Sequence, residues 1–136
     1  MTPFVHRLRV RYHECDAQGV VFNANYFTWF DVTLTELWRA AFGSYGAMLE
    51  RGSDVVVAEA SARFLSPARF DEELEIAMAV EHLGTTSMVS DLRVRRDGEE
   101  LVQGRLVHVF VDVGTHSKQA IDPEVRRALG RWAHDA

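Results

Sequence analysis

The chain has little of the material that marks a disulfide-stapled, metal-bound or membrane protein. Its 136 residues include one cysteine, Cys15, which excludes an intrachain disulfide and a multi-cysteine zinc site. The six histidines show no close pairing of the His-x-x-x-His kind. No apolar run approaches the roughly 18 residues of a membrane span, and the charged N-terminus does not resemble a signal peptide. We therefore expect a cytoplasmic protein with no metal site and no membrane contact.

Positive charge is scarce relative to negative charge. The formal net charge is -5, and the arginines are interspersed with acidic residues. No basic run has the length used by nucleic-acid-binding arms, so no nucleic-acid partner is expected. A polyanionic ligand would need a local basic patch, because the field of the whole molecule opposes it. Repeats, linkers and low-complexity stretches are also absent, and the length predicts a single domain over residues 1–136.

Hydrophobic periodicity divides the first third of the chain. Residues 5–13 alternate between apolar and polar, which predicts a half-buried strand, and residues 14–22 break the alternation as a loop. From Asn23, a candidate N-cap, apolar residues recur at helical spacing and predict a helix of about five turns. Gly43 is its expected stop. The apolar positions of this helix are Phe27, Phe30, Leu34, Leu37, Trp38 and Ala41.

The remaining two thirds alternate mostly as strands. The predicted elements are a short helix at 45–51, strands at 55–64, 73–83, 88–96 and 101–113, and a helix from Pro123 to about His134. Asp97-Gly98 is typical of a tight hairpin, and Gly104 suggests a bulge or bend. An apolar helix must be covered, and a curved antiparallel sheet covers it economically. The predicted class is α+β, with a five-stranded antiparallel sheet around one long helix.

The segment from His13 to Asp31 is best suited to chemistry. Its helix start offers unpaired N–H groups that can hold a developing oxyanion. Asp16, a few residues upstream, can act as a nucleophile or as a base toward water, and Gly19 allows close backbone approach. An aspartate before a helix more often serves as a cap or turn residue, so the residues alone do not decide its role.

The string Y-H-E-C-D-A-Q-G-V-V-F-N-A-N-Y closely resembles the signature of the 4-hydroxybenzoyl-CoA thioesterase family, in its bacterial short-chain acyl-CoA thioesterase branch. The resemblance covers most of the chain. The matching elements are Asp16, Gly19, Val21, Asn25 and Tyr26, then Thr35 to Leu37, the run Phe64-Leu65-Ser66-Pro67-Ala68, Asp71 and the turn at Thr86-Ser87.

The resemblance implies a hotdog fold, in which the sheet wraps the long helix. It implies hydrolysis of an acyl-CoA or acyl-carrier-protein thioester at a site on the interface of a homodimer or homotetramer. No cofactor is implied, and coenzyme A enters only as part of the substrate. The implied catalytic group is Asp16 with Gly19 and the backbone N–H near Asn23. The implied substrate contacts are Val21, Phe22, Asn25, Tyr26, Asp31, Glu59, Thr86 and Ser87.

Several of these positions leave alternatives open. Many relatives carry His or Tyr where this chain has Asn23. The matched position of Asp31 implies contact with a polar acyl substituent, whereas Glu59 either faces solvent or holds water in the cleft. The turn at 83–86 has no cation for coenzyme A phosphates, which keeps a carrier protein possible. If any arginine converges on that turn, the candidates are Arg63, Arg69, Arg93 and Arg95.

Two other functions compete with hydrolysis. A hotdog dehydratase would need a histidine at the helix entrance, which this chain does not have. A non-catalytic module would bind acyl thioesters without cleaving them. Cys15 and His13 would alternate along a strand and so face the same side, but a lone cysteine is expected to be an inert small hydrophobic residue rather than a thiol nucleophile.

Overall fold

The computed structural model describes residues 2–133, in which a five-stranded antiparallel sheet wraps one long helix. The strand order is β1-β3-β4-β5-β2, so β1 and β2 form the two edges. Short 3₁₀ turns at Tyr12–Glu14 and Gly130–Trp132 precede α1 and follow α3. The elements are β1 (Phe4–Arg9), α1 (Ala24–Phe42), α2 (Tyr45–Glu50), β2 (Ser53–Phe64), β3 (Glu73–Leu83), β4 (Ser87–Arg96), β5 (Glu99–Asp112) and α3 (Pro123–Leu129).

The long helix α1 confirms the helical periodicity of the sequence, although Phe27, assigned to its apolar face, is 37% exposed and Tyr26 and Trp29 are buried instead. Its buried residues recur at spacings of three and four, which places them on one wide face. The helix ends at Gly43, whose φ of 90° is left-handed and whose N–H donates to the Arg39 carbonyl at 2.8 Å. The buried face consists of Tyr26, Trp29, Phe30, Thr33, Leu34, Leu37 and Trp38.

The predicted capping hydrogen bond from the Asn23 side chain is wrong. Asn23 stands at the N-cap position, but its backbone is already helical and its side chain makes no capping hydrogen bond. The first-turn amides of Asn25 and Tyr26 instead donate to the carbonyls of Phe22 and Asn23, at 2.9 and 3.3 Å. Within residues 2–133, the N–H groups of Asn23 and Ala24 are left without an acceptor.

The core lies between α1 and the concave face of the sheet. Alternate side chains of β3, β4 and β5 are fully buried there, and Phe110 meets Trp38 edge-on with ring centroids 6.4 Å apart. Each such apolar side chain contributes about 1.5–3 kcal/mol by leaving water. The inward residues include Leu74, Ile76, Met78, Val80, Met88, Leu92, Val94, Val102, Leu106 and Phe110.

Gly104 does not form the predicted bulge. It pairs in regular register with Leu92 on one side and Ala62 on the other, so no bulge occurs there. A Cβ at this position would lie 2.5 Å from Cζ of Phe30. The glycine therefore gives the Phe30 ring room to lie against the sheet. The register irregularities of the sheet fall between Val57 and Glu59, between Val80 and His82, and between Val94 and Arg95.

The first strand is shorter than the predicted 5–13. It ends at Arg9, opposite Glu73, the first residue of β3. The chain then enters the turn at Tyr12–Glu14, so His13 and Cys15 do not alternate along a strand.

The predicted hairpin is confirmed: Asp97 and Gly98 both have positive φ, 49° and 82°, as a type I′ turn requires.

The other predicted strands are confirmed to within two residues at each end. The C-terminal helix is shorter than predicted, and His134 lies outside the described residues. Between residues 2 and 133, no helix combines the length and the hydrophobicity needed to cross a bilayer.

Candidate functional site

A cleft of about 400 Å³ opens between the loop before α1, the first turn of α1 and the end of β2. Because the loop folds back against the helix start, this cleft brings residues of the recognised string beside Phe64 at the end of β2. Its walls include Asp16, Val21, Phe22, Asn23, Tyr26 and Phe64.

Asp16 begins a tight turn that closes on itself. Its N–H donates to the Val20 carbonyl at 2.8 Å, and the Gly19 N–H donates back to the Asp16 carbonyl at 3.0 Å. Gly19 has a φ of 79°, a left-handed conformation that favours glycine. The Asp16 Oδ1 atom accepts from the Gln18 N–H at 2.8 Å, while Oδ2 has no donor within residues 2–133. One oxygen therefore holds the turn and the other remains available to a ligand.

The wall opposite Asp16 is apolar. Tyr26 is 3% exposed, and its ring packs against Trp29 and Phe64 with centroids 5.1 and 5.6 Å away. Burial raises the pKa of the Tyr26 phenol, so the group stays protonated and forms an uncharged part of the cleft wall. Val21 is also buried, whereas Phe22 is half exposed at the rim. Such a wall suits an acyl chain beside a single polar reacting group.

Asn25 does not line this cleft. Its Nδ2 donates to the Glu14 carbonyl at 2.7 Å, and the Phe22 N–H donates to the same oxygen at 2.9 Å. The Glu14 carboxylate accepts from the Trp29 indole at 2.8 Å. The sequence reasoning missed Glu14, although it stands inside the recognised string, two residues before Asp16. These contacts tie the base of the loop to α1.

Thr86 and Ser87, two other predicted substrate contacts, lie at the opposite end of β2. Ser87 pairs with Val109, which pairs with Val56, whereas the cleft is at Phe64. Eight residues of strand separate Val56 from Phe64, which corresponds to roughly 26 Å. Thr86 and Ser87 therefore do not meet Asp16 within one chain. Glu59 lies between the two ends, exposed on β2.

Asp31 lines a second, smaller cavity of about 160 Å³ near this distal end. Tyr45, on its wall, donates to the Asp54 carboxylate, and burial together with that carboxylate raises its pKa to about 12. His108 is only 2% exposed, and burial lowers its pKa, an effect that Asp31 partly opposes. His108 is therefore neutral at pH 7, and its Nδ1 has no hydrogen-bond partner among residues 2–133.

This buried histidine predicts an acid-sensitive fold. Above about pH 6.5 the imidazole is neutral in both the folded and the unfolded chain, so it adds no pH dependence. Below that pH only the unfolded chain is readily protonated, because the folded pKa is lowered. We expect His108→Leu to lose less stability than wild type between pH 7 and pH 5, measured as the midpoint of thermal unfolding. The exposed His13→Gln is the control, and equal slopes for all three proteins would contradict the prediction.

The four arginines considered for phosphate binding do not reach the turn before Ser87. Arg93 and Arg95 pair with Glu100 at 2.6 and 3.7 Å on the outer face of the sheet. Arg63 and Arg69 lie near Phe64, at the other end of β2.

A different cation, Arg126 of α3, does reach this turn and donates to the Gly84 carbonyl at 2.6 Å. The segment before α3 is held at this turn by the Ile121 N–H, which donates to the Thr85 carbonyl at 2.9 Å, so no local pattern could reveal the position of Arg126.

Within the part of the chain that the structure describes, no three His, Cys, Asp or Glu side chains gather closely enough to hold a metal ion. Cys15 is half-buried and does not line the cleft, and its Sγ lies 3.9 Å from the Arg11 carbonyl.

Comparison with known proteins identifies relatives of this arrangement. The family model described as the thioesterase superfamily matches residues 18–103. The acyl-CoA thioester hydrolase YbgC of Escherichia coli is 32% identical over 112 residues, which cover 82% of this chain and 84% of the relative. A solved Aquifex aeolicus protein superposes with a TM-score of 0.88 at 28% identity, covering 93% of this chain and 99% of that one.

The fold itself recurs in more distant proteins. A 1,4-dihydroxy-2-naphthoyl-CoA thioesterase from Synechocystis superposes with a TM-score of 0.84 at 15% identity, over 93% of this chain and 95% of that one. Together with the observed strand order, these matches confirm the hotdog fold expected from the sequence.

Proposed function

Because this chain belongs to the thioesterase superfamily and is a thioester hydrolase, we propose that it cleaves acyl-CoA thioesters with Asp16 as its catalytic carboxylate. The observation that carries the proposal is the cleft shared by the free Oδ2 of Asp16 and the N-terminus of α1. A carboxylate beside a cluster of outward N–H groups can act on a carbonyl from two sides. The relative YbgC, named for acyl-CoA thioester hydrolysis, supports this substrate class.

The proposed reaction starts with the thioester carbonyl oxygen at the N–H groups of Asn23 and Ala24. These donors and the helix dipole stabilise the negative charge that develops on this oxygen. In one route Asp16 takes a proton from water while the water oxygen adds to the carbonyl carbon. The intermediate then expels the thiolate, which receives that proton. In the other route Asp16 itself adds, releases the thiolate and forms a mixed anhydride, which water hydrolyses.

The remaining predicted residues have supporting roles in this proposal. Gly19 allows the turn to approach the acyl group, and the apolar wall of Val21, Phe22 and Tyr26 receives its hydrocarbon part. A thiolate is a good leaving group, so a strong general acid is not required. No histidine lines the cleft among residues 2–133, which disfavours the hotdog dehydratase.

We further propose that the working unit is at least a homodimer joined through β2. This strand is an edge of 12 residues, and Val56 and Val57 are 42% and 55% exposed along it. An uncovered apolar edge strand is a template for pairing with another strand. Antiparallel pairing of two β2 strands about Ala60 would set Val56 of the partner subunit opposite Phe64. The distal group of Asp31, Thr86 and Ser87 would then face the Asp16 cleft across the interface, with Glu59 close to the centre of the pairing.

The edge-pairing proposal predicts that Val57→Lys yields a monomer with little activity. A lysine on an edge strand opposes strand pairing, and a monomer holds only half of each site. The measurement is molar mass by light scattering, with turnover assayed on the same fractions. Val5→Lys on the other edge strand is the matched control, since Val5 is 37% exposed on β1. A Val57→Lys dimer beside a Val5→Lys monomer would place the interface on β1 instead.

The function is tested by free-thiol release from short aliphatic, long aliphatic and aryl-CoA substrates. Turnover of at least one class supports the proposal and ranks the acyl groups. Arg126 at the Gly84 turn supports coenzyme A as the carrier, since it supplies a cation for its phosphates. Acyl-carrier-protein substrates form a parallel arm. Tight binding of intact acyl-CoA with no hydrolysis in any arm would favour the non-catalytic binding module.

A further inference from the structure

Glu14 joins three segments of the chain around the candidate site. Its Oε1 accepts from the Arg11 N–H at 2.7 Å, and its Oε2 accepts from the Trp29 indole N–H at 2.8 Å. Its backbone carbonyl accepts from Asn25 Nδ2 at 2.7 Å and from the Phe22 N–H at 2.9 Å. Both carboxylate oxygens and the carbonyl are therefore occupied by the protein, and Glu14 is not among the residues that line the cleft.

These contacts connect the Asp16 turn to α1. The turn from Asp16 to Val20 is closed by its own hydrogen bonds, so it moves as a unit. The end of the turn is also attached to the segment after β2, through the Val21 N–H, which donates to the Ala68 carbonyl at 2.9 Å, and through a β-bridge between Val20 and Arg69. The direct side-chain link to the helix goes through Glu14. Trp29 is a fixed anchor for that link, because it is 3% exposed in the core.

We propose that Glu14 is a positioning residue that holds Asp16 at its working distance from the N-terminus of α1. The inference rests on the proposed function, since it assumes that Asp16 and the helix N–H groups act on the same carbonyl. Displacing a reacting group by about 1 Å can lower a rate by about 100-fold. A link between the two halves of the site therefore acts on the rate rather than on substrate binding.

The test substitutes each end of the link. Glu14→Gln keeps the side-chain shape but replaces one of the two acceptor oxygens with an NH₂ group. The glutamine can therefore accept from only one of the two N–H donors at a time. Trp29→Phe removes the indole donor and keeps an aromatic ring in the core. For each variant we expect kcat to fall by about tenfold or more, with KM changed by less than about threefold. The double variant should fall no further than the larger single effect.

Two comparisons separate positioning from a merely structural role. Glu36→Gln, on α1, removes the charge from a carboxylate that pairs with Arg39 at 3.0 Å and should leave kcat unchanged. All rates are measured well below the unfolding midpoint of each variant. In an Asp16→Asn background, Glu14→Gln should have no further effect on the residual rate. If Trp29→Phe does not fold, Asn25→Ala removes the other tie to α1 and should also lower kcat.

Wild-type kcat in Glu14→Gln and Trp29→Phe, or additive effects in the double variant, would overturn the positioning role while leaving Asp16 in place. A lowered unfolding midpoint with unchanged kcat would also overturn it. If Asp16→Asn itself retains the wild-type rate, the proposed function fails instead. The two failures are thus distinguished by one set of proteins.

Discussion

Asp16→Asn is expected to lower kcat by about 10²–10⁴-fold while leaving the fold intact. The amide cannot take a proton from water or attack a carbonyl, whereas its oxygen can still accept from the Gln18 N–H that now bonds to Oδ1 at 2.8 Å. The turn therefore keeps its hydrogen bonds and loses only its chemistry. Thiol release on the preferred acyl-CoA measures the rate, and thermal unfolding checks the fold.

Asp97→Asn is the matched control for this substitution. Asp97 is also a turn aspartate, but it lies exposed at the tip of the β4–β5 hairpin with a φ of 49°. Asparagine followed by glycine is a favoured pair in such a turn, so Asp97→Asn should be as stable and as active as wild type. An Asp16→Asn protein with the wild-type rate would remove Asp16 from the reaction.

Gly104→Ala is expected to destabilise the fold by about 1–3 kcal/mol, the usual penalty for overpacking a core. The added Cβ would lie 2.5 Å from the Phe30 ring, which is fully buried between α1 and the sheet. Neither the ring nor β5 can move without disturbing neighbouring contacts. Denaturant unfolding measures the loss as a lower midpoint.

The companion variants test the cause of this loss. Gly130→Ala adds the same methyl group where nothing lies within 4 Å of the new Cβ, and it should leave the stability near that of wild type. Replacing Phe30 with Leu should reduce the additional penalty of Gly104→Ala, because the smaller side chain leaves room for the Cβ. Equal losses for the two glycine substitutions would rule out the clash with Phe30.

The elements that the sequence predicted well are those whose conformation is set by residues close together in the chain. The helical period of α1 follows from apolar spacing, whereas packing decides that Tyr26 and Trp29 rather than Phe27 are buried. The end of the helix at Gly43 follows from one left-handed residue. The Asp97-Gly98 hairpin follows from a dipeptide that tolerates two positive φ angles. Errors arose where a distant partner decides: β1 ends where β3 begins, and Gly104 is required by a ring on α1.

In the candidate site too, residues contiguous in the sequence were predicted, and contacts between distant segments were not. Asp16, Val21, Phe22, Asn23 and Tyr26 meet in one cleft because the string that contains them spans one loop and one helical turn. Thr86 and Ser87 were associated with them by resemblance, yet the register puts them at the far end of β2. Glu14 stands inside the recognised string, but its contact with the Trp29 indole is not visible in the pattern, and Arg126 reaches a carbonyl that is distant in the sequence.

By itself, the sequence determined the long buried helix, the strand-rich remainder, the loop carrying Asp16 and the resemblance to thioesterases. These features depend on periodicity and on contiguous residues, which a linear chain displays directly. Only the tertiary structure decided which strands form the edges, where α3 delivers Arg126, and how Glu14 ties the Asp16 turn to α1. Those outcomes depend on pairing and packing between distant segments, and the pattern of one segment does not record its partner.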